Sequence, residues 1–152
     1  MQRESFWIKS GHFFFLFFVM NLIGLVAYSY MTPETLVWYS HLPKPSLTPP
    51  NAYFGIAWTI LFFLISLSGA WLWDKASFFW FKGQVVFIFL WSFCFFFLHL
   101  PQVAFYVLLL LIICEIETIL TFYPKSKGGS LLLIPLLVWS LFALYLNGVI
   151  IL

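Results

Sequence analysis

Apolar residues run along this chain in blocks long enough to cross a bilayer, and the polar and charged residues fall mainly between the blocks. Ser10 to Pro33 carries no formal charge, and neither does Pro45 to Trp73. Each exceeds the roughly 20 residues that a spanning helix needs. Gly83 to Cys114 is also uncharged, but His99-Leu100-Pro101-Gln102 lies inside it. Proline disfavours helical geometry in the residue before it, so a turn is predicted there and the run divides in two. A fifth block follows the polar turn Pro124 to Gly129. The pattern predicts helices over about 10–31, 51–73, 78–99, 101–123 and 130–152, with a connection over 32–50. The fold class is therefore an all-α membrane protein, a five-helix transmembrane bundle in a single domain spanning 1–152. The first block follows Arg3 and Lys9, as in a signal peptide. Its apolar part is longer than a typical signal h-region and four spans follow it, so a retained helix is expected.

Composition agrees: 64% of the residues are hydrophobic, 24% aromatic and 8% charged, against about a quarter charged in soluble domains. An integral, multi-pass membrane protein follows. Cys94 and Cys114 lie in apolar runs without C-x-x-C spacing, which supports neither a metal site nor a disulfide framework. The net charge of +2 is dispersed and argues against nucleic acid as a partner. Arg3, Lys9, Lys75, Lys82, Lys125 and Lys127 fall on one side of the predicted bundle and Lys44 alone on the other. In a bacterial inner membrane this places the N-terminus in the cytoplasm. Trp7, Trp71, Trp73 and Trp80 gather on the same side, as an interfacial aromatic belt does.

Between the first two spans, WYSHLPKPSLTPPNAYFGIAW places four prolines and an exposed Lys44 where an ordered surface lid is expected. Three further tryptophans come out at mid-membrane depth. Trp58 lies roughly 12 Å below the lid side at 1.5 Å per residue, and Trp91 and Trp139 fall at similar depth. Helical spacing gives them companions: Phe62 beside Trp58, Ser92 and Phe95 beside Trp91, Ala143 and Asn147 beside Trp139. An aromatic cavity with a few polar groups suits a planar hydrophobic ligand. Lys82 and the pair Glu115 and Glu117 lie at comparable depth, and an ion pair between them is expected because a lone charge in a span is costly. Asn21, Gln84 and Asn147 are expected to donate hydrogen bonds between helices.

The string Trp38-Tyr39-x-x-Leu42-x-Lys44-Pro45-Ser46-x-x-Pro49-Pro50, followed by Phe54-Gly55 and Trp58, resembles the translocator protein (TspO/MBR) family, the tryptophan-rich sensory proteins or peripheral-type benzodiazepine receptors. Gln84 and Trp91-Ser92-x-x-Phe95-Phe96 resemble its third-helix pattern, and Pro135-x-x-x-Trp139-x-x-Phe142-Ala143-x-x-Leu146-Asn147 its fifth. The likeness covers about 38–147. It implies helices in the order 1-2-5-4-3 around a pocket closed by the first connection, often in a homodimer. It also implies non-covalent porphyrin binding, with sterols or benzodiazepine-type drugs as further ligands of the family and no covalently bound cofactor. Trp58, Phe62, Trp91, Ser92, Phe95, Trp139 and Ala143 match its pocket positions, Asn147 falls in its fifth-helix pattern, and Tyr39, Pro49 and Pro50 match its lid. Trp58 and Trp139 match the two tryptophans used in light-driven porphyrin breakdown, the only catalytic role the resemblance suggests. The chain departs from the pattern at Ile88, Leu136, Leu47 and Ala52, where the family carries asparagine, tyrosine and two tryptophans. No Lys or Arg follows Tyr145, so the sterol pattern that needs one is not formed there. The reading is a membrane receptor or sensor for a porphyrin or similar tetrapyrrole, with photo-oxidative degradation and transport as the alternatives.

Overall fold

The computed structural model describes the backbone of residues 2–152 and the side chains of residues 7–152. Seven α-helices follow one another: α1 (Gln2–Ser29), α2 (Pro33–His41), α3 (Asn51–Leu72), α4 (Phe79–Ser92), α5 (Pro101–Phe122), α6 (Lys127–Leu131) and α7 (Ile134–Ile151). A π-helical turn, Phe93–Phe97, extends α4. Five stretches are long and apolar enough to cross a membrane: Trp7–Ser29, Asn51–Leu72, Phe79–Phe97, Pro101–Phe122 and Lys127–Ile151. These are the five predicted spans. The first helix starts earlier than its apolar block because the preceding Gln, Arg and Glu are good helix formers and no breaker intervenes.

The span ends have local causes. After the π turn, His99 takes a left-handed conformation, φ 55°, and the Leu100 N–H returns to the Cys94 carbonyl at 2.9 Å. That is a C-terminal stop in which the left-handed residue lets orphan carbonyls find donors. Pro101 then opens α5, where its missing N–H costs nothing. The last span breaks between α6 and α7 because Pro135 lacks an N–H and clashes with the carbonyl four residues back, at Leu131, where α6 ends.

The spans pack as a closed ring: α1 on α3, α3 on α7, α7 on α5, α5 on α4 and α4 on α1. In span numbering this is the order 1-2-5-4-3. Small residues set the close approaches, as in other membrane bundles. A Cβ on Gly69 would stand 2.6 Å from Leu16 and 2.7 Å from Phe81, and one on Gly24 would stand 2.8 Å from Phe62. At the end of the bundle away from the first connection Ser68 donates to the Gly129 carbonyl at 2.7 Å and Ser130 to the Ile119 carbonyl at 2.9 Å. These bonds pin α6 between α3 and α5.

Several polar expectations are corrected. Lys82 is exposed on α4, whereas Glu115 is fully buried and accepts from Ser140 of α7 at 2.6 Å. The expected ion pair does not form, because equal depth does not bring side chains on different faces together. Asn21 donates to the Phe17 carbonyl of its own helix at 2.7 Å, while Asn147 does bridge helices, to the Pro101 carbonyl at 2.8 Å. Gln84 is fully buried and neither of its amide atoms has a partner. Of the inner tryptophans, Trp7 and Trp71 are exposed as a belt requires, but Trp73 stacks on His12 at 4.4 Å.

Two outcomes test this architecture. Gly69→Val puts two methyl groups between α1, α3 and α4 and is expected to lower stability by about 1–3 kcal/mol, read from thermal unfolding in detergent. A parent-like melting curve would show that Leu16 and Phe81 are free to move aside. Lys9, Lys75, Lys82, Lys125 and Lys127 belong to one end of the bundle, with the Arg3 side chain outside the described residues. An N-in, C-out orientation is therefore expected in a bacterial inner membrane, and a C-terminal reporter active only in the cytoplasm would contradict it.

Candidate ligand site beneath the first connection

The connection 32–50, expected as a loop, contains a helix. Thr32 caps α2, its hydroxyl accepting from the Thr35 N–H at 3.2 Å, and Pro33 and Glu34 occupy the first turn where a fixed φ and a negative charge are favourable. At the other end Lys44 donates to the Tyr39 carbonyl at 2.6 Å and lies 4.4 Å over the Tyr39 ring. Lys44 is thus half-buried rather than exposed, and its charge sits against the helix C-terminus. The Thr48 N–H and hydroxyl both donate to the Pro45 carbonyl, at 3.0 and 2.8 Å, closing a turn before α3. Short-range bonds thus fix both ends of α2 and the Pro45–Thr48 turn.

The underside of α2 docks on the end of the third span. Trp38 stacks on His99 with ring centres 4.3 Å apart and meets Phe95 edge-on at 5.6 Å. Thr35 and His99 Nε2 share a hydrogen bond of 3.2 Å. Tyr39 reaches both Phe95 and Phe96 at 6.3 Å, and burial pushes its phenol above the ordinary tyrosine range. The left-handed His99 and the π turn are what bring these rings under the lid. A π turn places its residues about 80° apart rather than 100°, so Phe95 and Phe96 share one face with Trp91.

Beneath Tyr39 lies a cavity of about 30 Å³, little more than one water molecule. Trp91, Phe95 and Phe96 wall it on one side and Phe54 of α3 on another. Trp139, Phe142, Ala143, Leu146, Asn147 and Ile150 of α7 complete it. Two polar atoms of the wall residues are buried without partners, Trp91 Nε1 and Asn147 Oδ1, one a donor and the other an acceptor. Tyr39 and Trp139 add a phenol and a second indole, and the remaining lining side chains are apolar.

The structure brings together six of the expected site residues, Tyr39, Trp91, Phe95, Trp139, Ala143 and Asn147, on this cavity. It leaves five out. Trp58 packs against Trp91 at 6.0 Å and Phe62 at 5.5 Å, outside the lining. Phe62 is turned toward Gly24 of α1, and Ser92 donates to the Phe89 carbonyl of its own helix at 2.8 Å. Pro49 follows the Pro45–Thr48 turn, and the Pro50 carbonyl accepts from the Tyr53 N–H at 3.0 Å as α3 begins. Sequence reading missed Phe54, Phe96, Phe142, Leu146 and Ile150. Phe142, Leu146 and Ile150 continue the helical stripe of Trp139, a signal present in the spacing.

A ring of five spans, a short helical lid and an aromatic cavity between spans 2, 3 and 5 agree with the family resemblance of the sequence. The TspO/MBR family profile matches residues 15–152. This chain belongs to the TspO/MBR family. It is 42% identical over 149 residues to Tryptophan-rich protein TspO of Archaeoglobus fulgidus, covering 84% of this chain and 95% of that protein. It is 34% identical to Tryptophan-rich protein TspO of Bacillus cereus, covering 78% and 82% of the two chains. It is 29% identical to a Tryptophan-rich sensory protein of Cereibacter sphaeroides, covering 72% of each. As in its relatives by name, tryptophan is abundant here, with 8 residues in 152.

The lid contact is testable without any ligand. His99→Ala removes both the Trp38 stack and the Thr35 hydrogen bond. The docking of α2 should weaken by about 1–2 kcal/mol, roughly tenfold faster amide exchange across Pro33–His41. Unchanged exchange there would show that Phe95 and Phe96 hold the lid alone.

Proposed function

We propose that this TspO/MBR protein is a membrane receptor or sensor for a planar hydrophobic ligand, most simply a porphyrin or related tetrapyrrole, held between α3, α4 and α7 beneath α2. The observation that carries this reading is the aromatic cavity closed by Tyr39, with an unpartnered indole N–H and an unpartnered amide oxygen among its wall residues. Aromatic faces stack on a flat conjugated ring, and the two polar atoms offer a donor and an acceptor to its edge. The name of the Cereibacter sphaeroides relative supports a sensory role.

Ligand pockets for molecules of this size are roughly 300–1,000 Å³. At about 30 Å³ the cavity is too small for such a ligand unless its walls move. Opening needs Tyr39 to lift with α2 and the Phe95, Phe96 and Phe142 rings to turn, all of them side chains at the mouth or wall. A bound ligand then holds α2 away from the Trp38–His99 stack seen here. The signal is the difference between the two positions of the lid.

A second reading, light-driven oxidation of the bound porphyrin, draws on the Trp58–Trp91 contact. Trp91 and Trp139 stand at the wall and Trp58 meets Trp91 at 6.0 Å, so an indole pair runs from the cavity wall to Trp58. Degradation with product formation under light, lost in Trp139→Phe, separates this from reversible binding.

Ala143 offers the direct test. Replacing it with Leu adds bulk to a cavity wall that is 7% exposed, and porphyrin affinity is expected to fall at least tenfold with the fold intact. The Soret shift on titration reads the affinity and circular dichroism checks the fold. Parent-like affinity in a folded Ala143→Leu protein would place the ligand elsewhere.

A further inference from the structure

α5 carries a carboxyl that ligand binding does not use. Glu115 has no solvent exposure; its Oε1 accepts from Ser140 of α7 at 2.6 Å and its Oε2 has no partner. On α4 the equally buried Gln84 leaves both its amide nitrogen and its amide oxygen without partners. The two side chains lie within a helical turn of one depth. A Cβ on Gly83 would stand 3.0 Å from Cys114 Sγ, and Gln84 and Glu115 are the residues that follow these two. One turn further in, Phe81 stacks on Phe122. Glu115 Oε2 on α5 and the Gln84 amide on α4 are therefore both unsatisfied at similar depth in the bundle.

An uncompensated carboxylate in this position is strongly disfavoured, and such a group neutralises by taking a proton when no cation partner is beside it. The elements packed against α5 supply no cation beside it. Their titratable groups are Lys82 on α4, Lys127 on α6 and Tyr145 on α7, all exposed, and Cys94 on the π turn, which is buried and carries no positive charge. α5 itself adds the exposed Tyr106, the half-buried Glu117 and the buried Cys114.

We propose that Glu115 is an intramembrane proton-binding site, in which Ser140 donates to one carboxyl oxygen and the proton on the other is donated in a hydrogen bond to Gln84 Oε1. One rotamer change or one bridging water completes the bond to Gln84, and either satisfies two orphaned groups at once. The site is wired to the ligand cavity by position. Ser140 sits on α7 directly after Trp139 and three residues before Ala143, both cavity walls.

Infrared spectroscopy of the ligand-free protein in lipid nanodiscs tests the site, so that failure of the porphyrin reading leaves the result unaffected. At neutral pH the parent should show a carbonyl band of a protonated carboxyl that shifts in deuterated water. The band should vanish in Glu115→Gln and persist in Glu117→Gln and Glu34→Gln. A parent protein without the band, a band that survives Glu115→Gln, or a band abolished by added sodium would overturn the proposal. If Glu115→Gln does not fold, Ser140→Ala serves instead: the carboxyl remains but loses its donor, and its band must move to higher frequency. An unmoved band in that variant would also overturn it.

Discussion

A chain that crosses a bilayer must satisfy its backbone donors and acceptors inside its own helices, because hydrocarbon offers no water to do so. That constraint turns five apolar runs into five helices and forces each break to a place where the freed groups find local partners. The break after the third span does so with a π turn and a left-handed His99, whose neighbour Leu100 returns its N–H to Cys94. The site follows from that stop. The π turn presents Phe95 and Phe96 to the cavity, and His99 presents a flat ring and a nitrogen to α2.

The lid is held in two different ways. Along its length it is fixed by short-range bonds, with Thr32 and Lys44 at the two ends of α2 and the Thr48 turn before α3. Against the bundle it is held by a few aromatic contacts and the single Thr35–His99 hydrogen bond. A segment that is internally rigid and only lightly docked moves as a unit. This is what a receptor needs in order to convert occupancy of a small, deep cavity into a displacement at the membrane surface.

The five spans and half of the α7 wall, Trp139, Ala143 and Asn147, were legible because uncharged runs and helical stripes are written directly in the sequence. Depth was legible as well: Trp91 and Trp139 meet on one cavity, as their distances from the span ends predict. Rotation about the helix axis was not. Phe54, Trp58 and Phe62 follow at four-residue steps, each about 40° further round. Phe54 faces the cavity while Phe62 has turned to Gly24. The same ambiguity misled the Lys82 expectation, since Phe81 and Gln84 take the inward face of α4 and leave Lys82 outside. The lid helix is short and lacks an apolar period, yet its Thr-Pro-Glu start is a capping signature that was there to be read.

Titration of protoporphyrin IX into the protein in nanodiscs, followed by tryptophan emission, tests the central claim most directly, because Trp91 and Trp139 form the cavity wall and Trp58 touches Trp91. The account predicts saturable quenching with one porphyrin per chain, reversed by competition with a second tetrapyrrole. Quenching that rises without saturation, as porphyrin dissolved in the surrounding lipid would produce, would contradict it.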